Sequence, residues 1–315
     1  MIPNARRDRL VIAFRRAIFD RLQIAPFLHQ AEWILASEGR QLTGRHAYPT
    51  SRSWIDIRRA DTTVHRMAVV PRPSGVAKVL ADLGAYKSGK SMGGAWWLAG
   101  FACVPGGRVD LIGAEYDICA PEFDYLSEIL LADPPRGLGL PYRTHHNHPK
   151  SGRMILELHN GMKYECRSWE RREALKGKER DAYYYCESYM LPGIMALTSL
   201  SQNLRRREGW AIFTTTADKP WVMLFHEEGH GARPDWHCTC GVSARENPYT
   251  FSQKDFDRDH PERGGMMTRE QFAVSWLGQL GEFVGRVYQY QRGERMFDVA
   301  SHPELWKPQT VKGAA

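Results

Sequence analysis

Eight residues limit the architecture of this 315-residue chain more than any others: residues 84–91 read GAYKSGKS, a glycine, four spacers, then Gly-Lys-Ser. Amides in such a glycine-bracketed loop converge on an anion only when a strand delivers the chain into it and a helix leads away. The flanks predict that arrangement. VLADL (79–83) reads as a short apolar strand, and SMGGAWWLAGFACV (91–104) as a buried helix stopped by Pro105-Gly106-Gly107. Without those flanks the motif is a flexible turn carrying two lysines. With them, Gly84 and Gly89 allow close backbone approach, and Ala85, Tyr86, Lys87 and Ser88 span the loop. Lys90 then falls to the β- and γ-phosphates of a nucleotide such as ATP, and Ser91 to Mg2+.

The rest of the chain supplies strands and helices in alternation. MAVVP (67–71) precedes the motif as another strand, and RVDLIGAEY (108–116) follows it. Pro121 then opens a helix whose Phe123, Leu126, Ile129 and Leu130 share one face. RMILELHNGMKYECRSW (153–169) predicts a hairpin about Asn160-Gly161 with a two-residue type I′ turn. DAYYYCES (181–188) and WAIFTTTADKPW (210–221) read as strands around a helix in LPGIMALTSLSQNLRRR (191–207). Two short helices follow in 246–283, with VGRVYQY (284–290) as a last strand. This order predicts an α/β fold: a P-loop NTPase of the ASCE type, with a mainly parallel sheet flanked by helices, an N-terminal helical segment and a C-terminal helical lid. The expected divisions are a helical, adenine-binding segment at 1–60, the ATPase core at 61–240, the lid at 241–295 and a tail at 296–315.

Composition narrows the class. With 43% hydrophobic and 25% charged residues and no run of eighteen apolar residues, a membrane span is not expected. The basic N-terminus has arginines where a signal peptide needs an apolar run, and reads as an amphipathic helix. Six scattered cysteines form no dense disulfide framework and suit a reducing compartment. A formal charge of +7 and a pI near 9.1 suit a polyanionic partner.

A phosphate loop needs an acid at the end of a neighbouring strand to orient the attacking water. Glu187, after AYYYC, stands there, the alternative being an ordinary exposed strand-end acid; it also has a possible water-mediated role at the metal. Position 186, where a metal-binding aspartate is expected, is cysteine. A thiol is a poor ligand for Mg2+, which leaves Ser91 and the phosphates, or help from an acid such as Glu115.

With these residues placed, the chain resembles the N-terminal ATPase domain of the large terminase subunit of tailed bacteriophages, over roughly residues 20–290. PFLHQAEW (26–33) is similar to the family's adenine-recognition segment and implicates Gln30; GAYKSGKS is similar to its Walker A loop. ALKGKERDAYYYCES (174–188) resembles its basic stretch leading into Walker B, with Lys176, Lys178 and Arg180 as phosphate-sensing candidates. IFTTT, with Thr214, Thr215 and Thr216, resembles its coupling motif, and ENPY and WLGQLGEFVGRVYQY its passage toward the nuclease. The resemblance implies an ATPase that drives double-stranded DNA into procapsids in the host cytoplasm. The implied partners are a portal protein, a small terminase subunit, a homo-oligomeric ring and a separate nuclease, since no nuclease is expected within these 315 residues. The alternatives are a helicase-like or repair ATPase acting on nucleic acid, and an assembly subunit that binds nucleotide and hydrolyses it slowly.

Other clusters read differently. HEEGH (226–230) matches a zinc-protease pattern, but Gly229 and the following GARPDW argue against the helix it needs. His226, His230, His237, Cys238 and Cys240 could form a small metal site, though without the spacing of a zinc knuckle; ordinary loop residues are the competing reading. YRTHHNHPKSGR (142–153), with His145, His146 and His148, reads as a surface loop that could touch DNA phosphates. Trp96 and Trp97 read as core.

Overall fold

The first helix, α1 (Asn4–Arg21), turns Arg7, Val11, Arg15 and Ile18 inward at helical spacing. Two of those four are arginines, buried because each is paired. Arg7 meets Asp181 at 3.1 Å and lies over the Trp210 ring, while Arg15 meets Glu38 at 3.1 Å and lies over Trp97. This computed structural model describes residues 4–42, 54–171, 178–191, 202–205, 207–229, 233–265 and 267–280. The expected strand at 284–290, the tail at 296–315, most of the helix at 191–207 and the end of the lid lie outside the described residues.

After α2 (Leu28–Ser37) the chain forms β1 (Arg40–Leu42), β2 (Trp54–Arg58) and β3 (Val64–Pro71), a separate antiparallel sheet in the order β1-β3-β2. The segment expected at 1–60 thus adds two short strands to its two helices. Residues 64–71 pair on both sides with what precedes them, RQL (β1) and WIDIR (β2), short segments whose ladder hydrogen bonds a brief sequence pattern does not advertise.

Next come β4 (Val79–Gly84), α3 (Lys90–Ala99), β5 (Arg108–Gly113), α4 (Ala120–Leu131), β6 (Tyr142–His148), β7 (Arg153–Leu158), β8 (Lys163–Ser168), β9 (Ala182–Tyr185), β10 (Trp210–Thr215), α5 (Met223–Glu227), β11 (Trp236–Val242), α6 (Gln253–Asp259) and α7 (Arg269–Leu277). Eight strands form one sheet in the order β11-β4-β10-β9-β5-β8-β7-β6. The six from β11 to β8 run parallel; β7 and β6 continue antiparallel. β10 sits between β4 and β9, the inserted strand of an ASCE-type P-loop fold. The central strands are buried on both faces, so they read as unbroken apolar runs. Alternate residues feed two cores: Leu80, Tyr184 and Ile212 join Trp97 and Phe101 on one face, and Ala81, Tyr183, Tyr185 and Phe213 join Phe225 and Trp236 on the other.

Two expected loops are edge strands. YRTHHNH pairs with β7 as β6 without the apolar alternation that marks a strand, and WHCTCGV pairs with β4 as β11, its alternating Trp236, Cys238, Cys240 and Val242 obscured by its resemblance to a metal-binding cluster. The 153–169 hairpin forms with a three-residue turn, His159–Gly161, instead of two. Leu158 N donates to Met162 O at 2.9 Å and Gly161 takes φ 82°, the left-handed residue of a bulged turn. The helices α6 and α7 build a small core from Phe256, Phe272 and Trp276 that also contains Ala85 of the phosphate loop. A side chain at Gly278, just past α7, would collide with the Val242 backbone and lie 3.0 Å from Ala85 N. Among the described residues no helix is long and apolar enough to cross a membrane.

Candidate active site

β4 ends at Gly84 and α3 begins at Lys90, so the five residues between them form a loop at the carboxyl end of the sheet. Its outer part is braced from the C-terminal side: Ala85 N donates to Val242 O at 2.8 Å and Tyr86 N to Ser275 O at 3.0 Å. Lys87 O accepts from Asn247 Nδ2 at 2.9 Å and Thr250 Oγ1 at 2.7 Å. The inner part stays open, because the amides of Lys90 and Ser91 lie in the first turn of α3, where no intrahelical acceptor reaches them. Lys90 is 5% exposed and folds over this mouth, donating to Gly84 O at 3.1 Å and Ala85 O at 2.8 Å. An ammonium held by two neutral carbonyls is available to a phosphate that offers more charge.

Gln30 reaches the loop from 59 residues away in sequence. It is fully buried, accepts from Phe27 N at 2.8 Å and donates to Gly89 O at 2.7 Å. Gly89, at φ 97°, and Gly93 both leave the room Gln30 occupies: an added Cβ would lie 3.0 Å from Nε2 at the first and 2.9 Å from Cγ at the second. Beside it the Phe27 and Tyr249 rings lie 6.4 Å apart, with the Arg58 guanidinium 5.8 Å from the Tyr249 ring. Tyr249 is 66% exposed, an aromatic face open to a flat ligand. Sequence reading missed Arg58, Asn247 and Tyr249 as site residues; of these, Asn247 and Tyr249 lie in the ENPY stretch singled out by the resemblance, whereas nothing marks Arg58.

The neighbouring strand ends supply the acids and hydroxyls. Glu187 follows β9 with φ 40° and ψ 57°, a left-handed conformation costly for a residue with a Cβ, and its Oε2 is buried with no hydrogen-bond partner. Cys186 is fully buried, and burial pushes its thiol well above the usual range. Thr214, Thr215 and Thr216 are buried at the end of β10. Thr215 Oγ1 accepts from Tyr189 N at 2.9 Å, Tyr189 Oη lies 3.3 Å from Tyr86 Oη in the loop, and Thr216 Oγ1 has no partner. The threonines, the turn after Glu187 and the phosphate loop are therefore in contact through one chain of residues. Glu115 is exposed, whereas Glu122, in the first turn of α4, is 2% exposed. Burial first, then Cys119, pushes the Glu122 carboxyl up to about 8, against a lowering by the Ser91 hydroxyl.

Beneath the loop lie Asp82 and His29, 3.9 Å apart and both buried. Burial drives them in opposite directions, Asp82 up to about 7 against the pull of Lys90, and His29 down to about 3.

Arg180 does not approach the loop, which corrects its assignment as a phosphate sensor for this chain's own nucleotide. It precedes β9, at the amino end of the sheet, and is locked to Asp110 at 2.6 Å. Lys178 is exposed at that same end, and Lys176 lies outside the described residues. In HEEGH, α5 lasts five residues; His226 Nδ1 lies 3.4 Å from Cys240 Sγ, and His230 is outside the described residues. His237, Cys238 and Cys240 stand on β11, and among the described residues no group of three or more His, Cys, Asp or Glu could hold a metal ion. His145, His146 and His148 are on β6, the edge strand farthest from β4 and β11. Trp97 is fully buried, and Trp96 packs on Phe19.

The polar groups left without partners near the loop, Ser88 Oγ, Ser188 Oγ, Thr216 Oγ1, Glu122 Oε2 and Glu187 Oε2, fit a bound nucleotide with a divalent cation. Ser91 would meet the cation and the loop amides the phosphates.

No protein-family model matches the chain, and no curated protein matches its sequence. Among solved structures, the large terminase ATPase domain of Thermus phage P74-26 matches with a TM-score of 0.51 at 16% identity, over 65% of this chain and 89% of that one. The large terminase of a thermophilic bacteriophage in complex with ADP matches at 0.49 and 11% identity, and that of bacteriophage HK97 at 0.48 and 14%. Those matches cover 67% and 66% of this chain but 50% and 47% of theirs. The chain thus has the fold of a phage large terminase ATPase domain.

Proposed function

We propose that this chain is the ATP-hydrolysing motor domain of a bacteriophage large terminase and drives double-stranded DNA into a procapsid. The observation that carries the reading is the convergence on one loop of Gln30 from α2, Lys90 and Ser91 from α3, Glu187 after β9 and the β10 threonines, on an ASCE-type sheet. Lys90 and Ser91 hold MgATP, and Gln30 with Phe27 and Tyr249 receives the base. Glu187 polarises the attacking water. Thr214, Thr215 and Thr216 sense the γ-phosphate, and its loss reaches the lid through Tyr189 and Tyr86. DNA is held without sequence preference by the basic surface, consistent with the net charge of +7. The partners are further copies of this chain in a ring, a portal protein, a small subunit and a nuclease.

The test is ATP turnover by the folded protein and its Lys90→Ala and Glu187→Gln variants. Each substitution is expected to lower kcat by about 10²–10⁴-fold, with Glu187→Gln retaining nucleotide affinity. Turnover equal to the parent in both variants would refute the assignment, and strand separation without portal-dependent packaging would favour a helicase-like ATPase. Cys186 favours one other reading, a subunit that binds nucleotide for assembly and turns over slowly. Tight ATP binding with no phosphate release by the parent would establish it.

A further inference from the structure

Cys186 leaves the site without its expected strand-end aspartate, and the surrounding structure contains a carboxylate with no other evident task. Glu122 lies on the buried face of α4 with Phe123, Leu126 and Ile129, where an acid is costly unless something compensates it. The compensation is incomplete: Oε2 has no hydrogen-bond partner. The carboxyl instead faces the Ser91 hydroxyl, with Glu187 and the Cys186 thiol among its neighbours. Topology explains the placement. β5 pairs with β9, and α4, which leaves the carboxyl end of β5, packs along α3, so the first turns of the two helices meet beside the end of β9. The other acids are committed or misplaced: Glu115 is exposed, and Asp82 lies under the loop beside His29 and Lys90.

We propose that Glu122, reaching across from α4, replaces the missing aspartate and, together with Ser91, holds the divalent cation of the bound nucleotide. The inference rests on the nucleotide-binding reading above. A carboxylate oxygen is the hard ligand that the Cys186 sulfur is not. Glu122 acts on the cation and leaves the attacking water to Glu187, so its loss shows first in metal affinity.

Titration calorimetry of the full chain with ADP, in Mg2+ and in EDTA, tests this, alongside Mn2+ binding to the ADP complex by electron paramagnetic resonance. The parent should bind ADP more tightly with Mg2+. Glu122→Gln, neutral and nearly isosteric, should keep its affinity in EDTA and lose roughly 10–100-fold in metal affinity. Adding Cys186→Asp to that variant should restore Mg2+ enhancement and the bound Mn2+ signal, an outcome that loss of packing alone would not give. Glu122→Gln with full Mg2+ enhancement would overturn the proposal while leaving the nucleotide site standing. A Glu122→Gln protein that fails to fold is replaced by Glu122→Asp, whose shortened carboxylate should lose Mg2+ enhancement and regain it when Cys186→Asp is added, whereas Glu122→Asp with full Mg2+ enhancement overturns the proposal. A parent that binds no ADP under either condition would sink the nucleotide reading and this inference together.

Discussion

The buried carboxylates at the two ends of the central sheet are treated in opposite ways. At the amino ends, Asp181 meets Arg7 at 3.1 Å and Arg207 at 2.7 Å and accepts from Arg108 N at 2.8 Å, while Asp110 holds Arg180 at 2.6 Å. At the carboxyl ends, Ser88, Ser188, Thr216, Glu122 and Glu187 each keep a buried oxygen with no partner, and Glu187 adds a left-handed backbone. Charge that is buried and paired fixes the fold, whereas polarity buried and left open is retained where a ligand completes it. The arginine most tempting by sequence, Arg180, belongs to the first kind.

The contrast is sharpest if each end is broken in turn. Asp181→Ala removes the buried carboxylate that Arg7 and Arg207 share, leaving Arg7 to Asp8 and Arg207 to Glu179, and should cost about 3 kcal/mol in denaturant unfolding, without changing nucleotide affinity in the protein that remains folded. A smaller loss, roughly 1–3 kcal/mol, is expected from Gly94→Ala, whose methyl group collides with the Tyr184 hydroxyl between α3 and β9. At the open end the sign reverses: Glu187→Gly should raise unfolding free energy by roughly 1 kcal/mol, by relieving its backbone, while ATP turnover is lost. Destabilisation there would show that Glu187 serves the fold and would erase the distinction between the two ends. Least of all should follow from Asp56→Ala, which removes a partly exposed pair with Arg66 at 2.8 Å and should leave the thermal midpoint within ordinary surface variation.

What the sequence made legible follows from where each element lies. β4, β9 and β10 are buried on both faces, so VLADL, AYYY and WAIF carry strong apolar runs. β6 pairs through backbone groups that every residue type possesses, and YRTHHNH gives no such signal, while WIDIR and WHCTCGV are too short or too rich in histidine and cysteine for theirs to stand out. The loop between β4 and α3 and the position of Glu187 after β9 are local features, so their places on the fold were readable. Glu122 was not: an acid beside Pro121 in a helix's first turn matches an ordinary helix start, and only packing against α3 reveals that its carboxyl is buried. Arg180 failed for the converse reason, since its partner Asp110 stands 70 residues earlier.

Gly278 carries one more consequence. Its φ of 64° and missing Cβ let the chain leave α7 with main chain resting on main chain, against Val242 and the first residue after Gly84. Side chains at most interfaces can change rotamer and absorb a small displacement, but Gly278 has none to do so. It is a rigid bearing between the end of α7 and the phosphate loop.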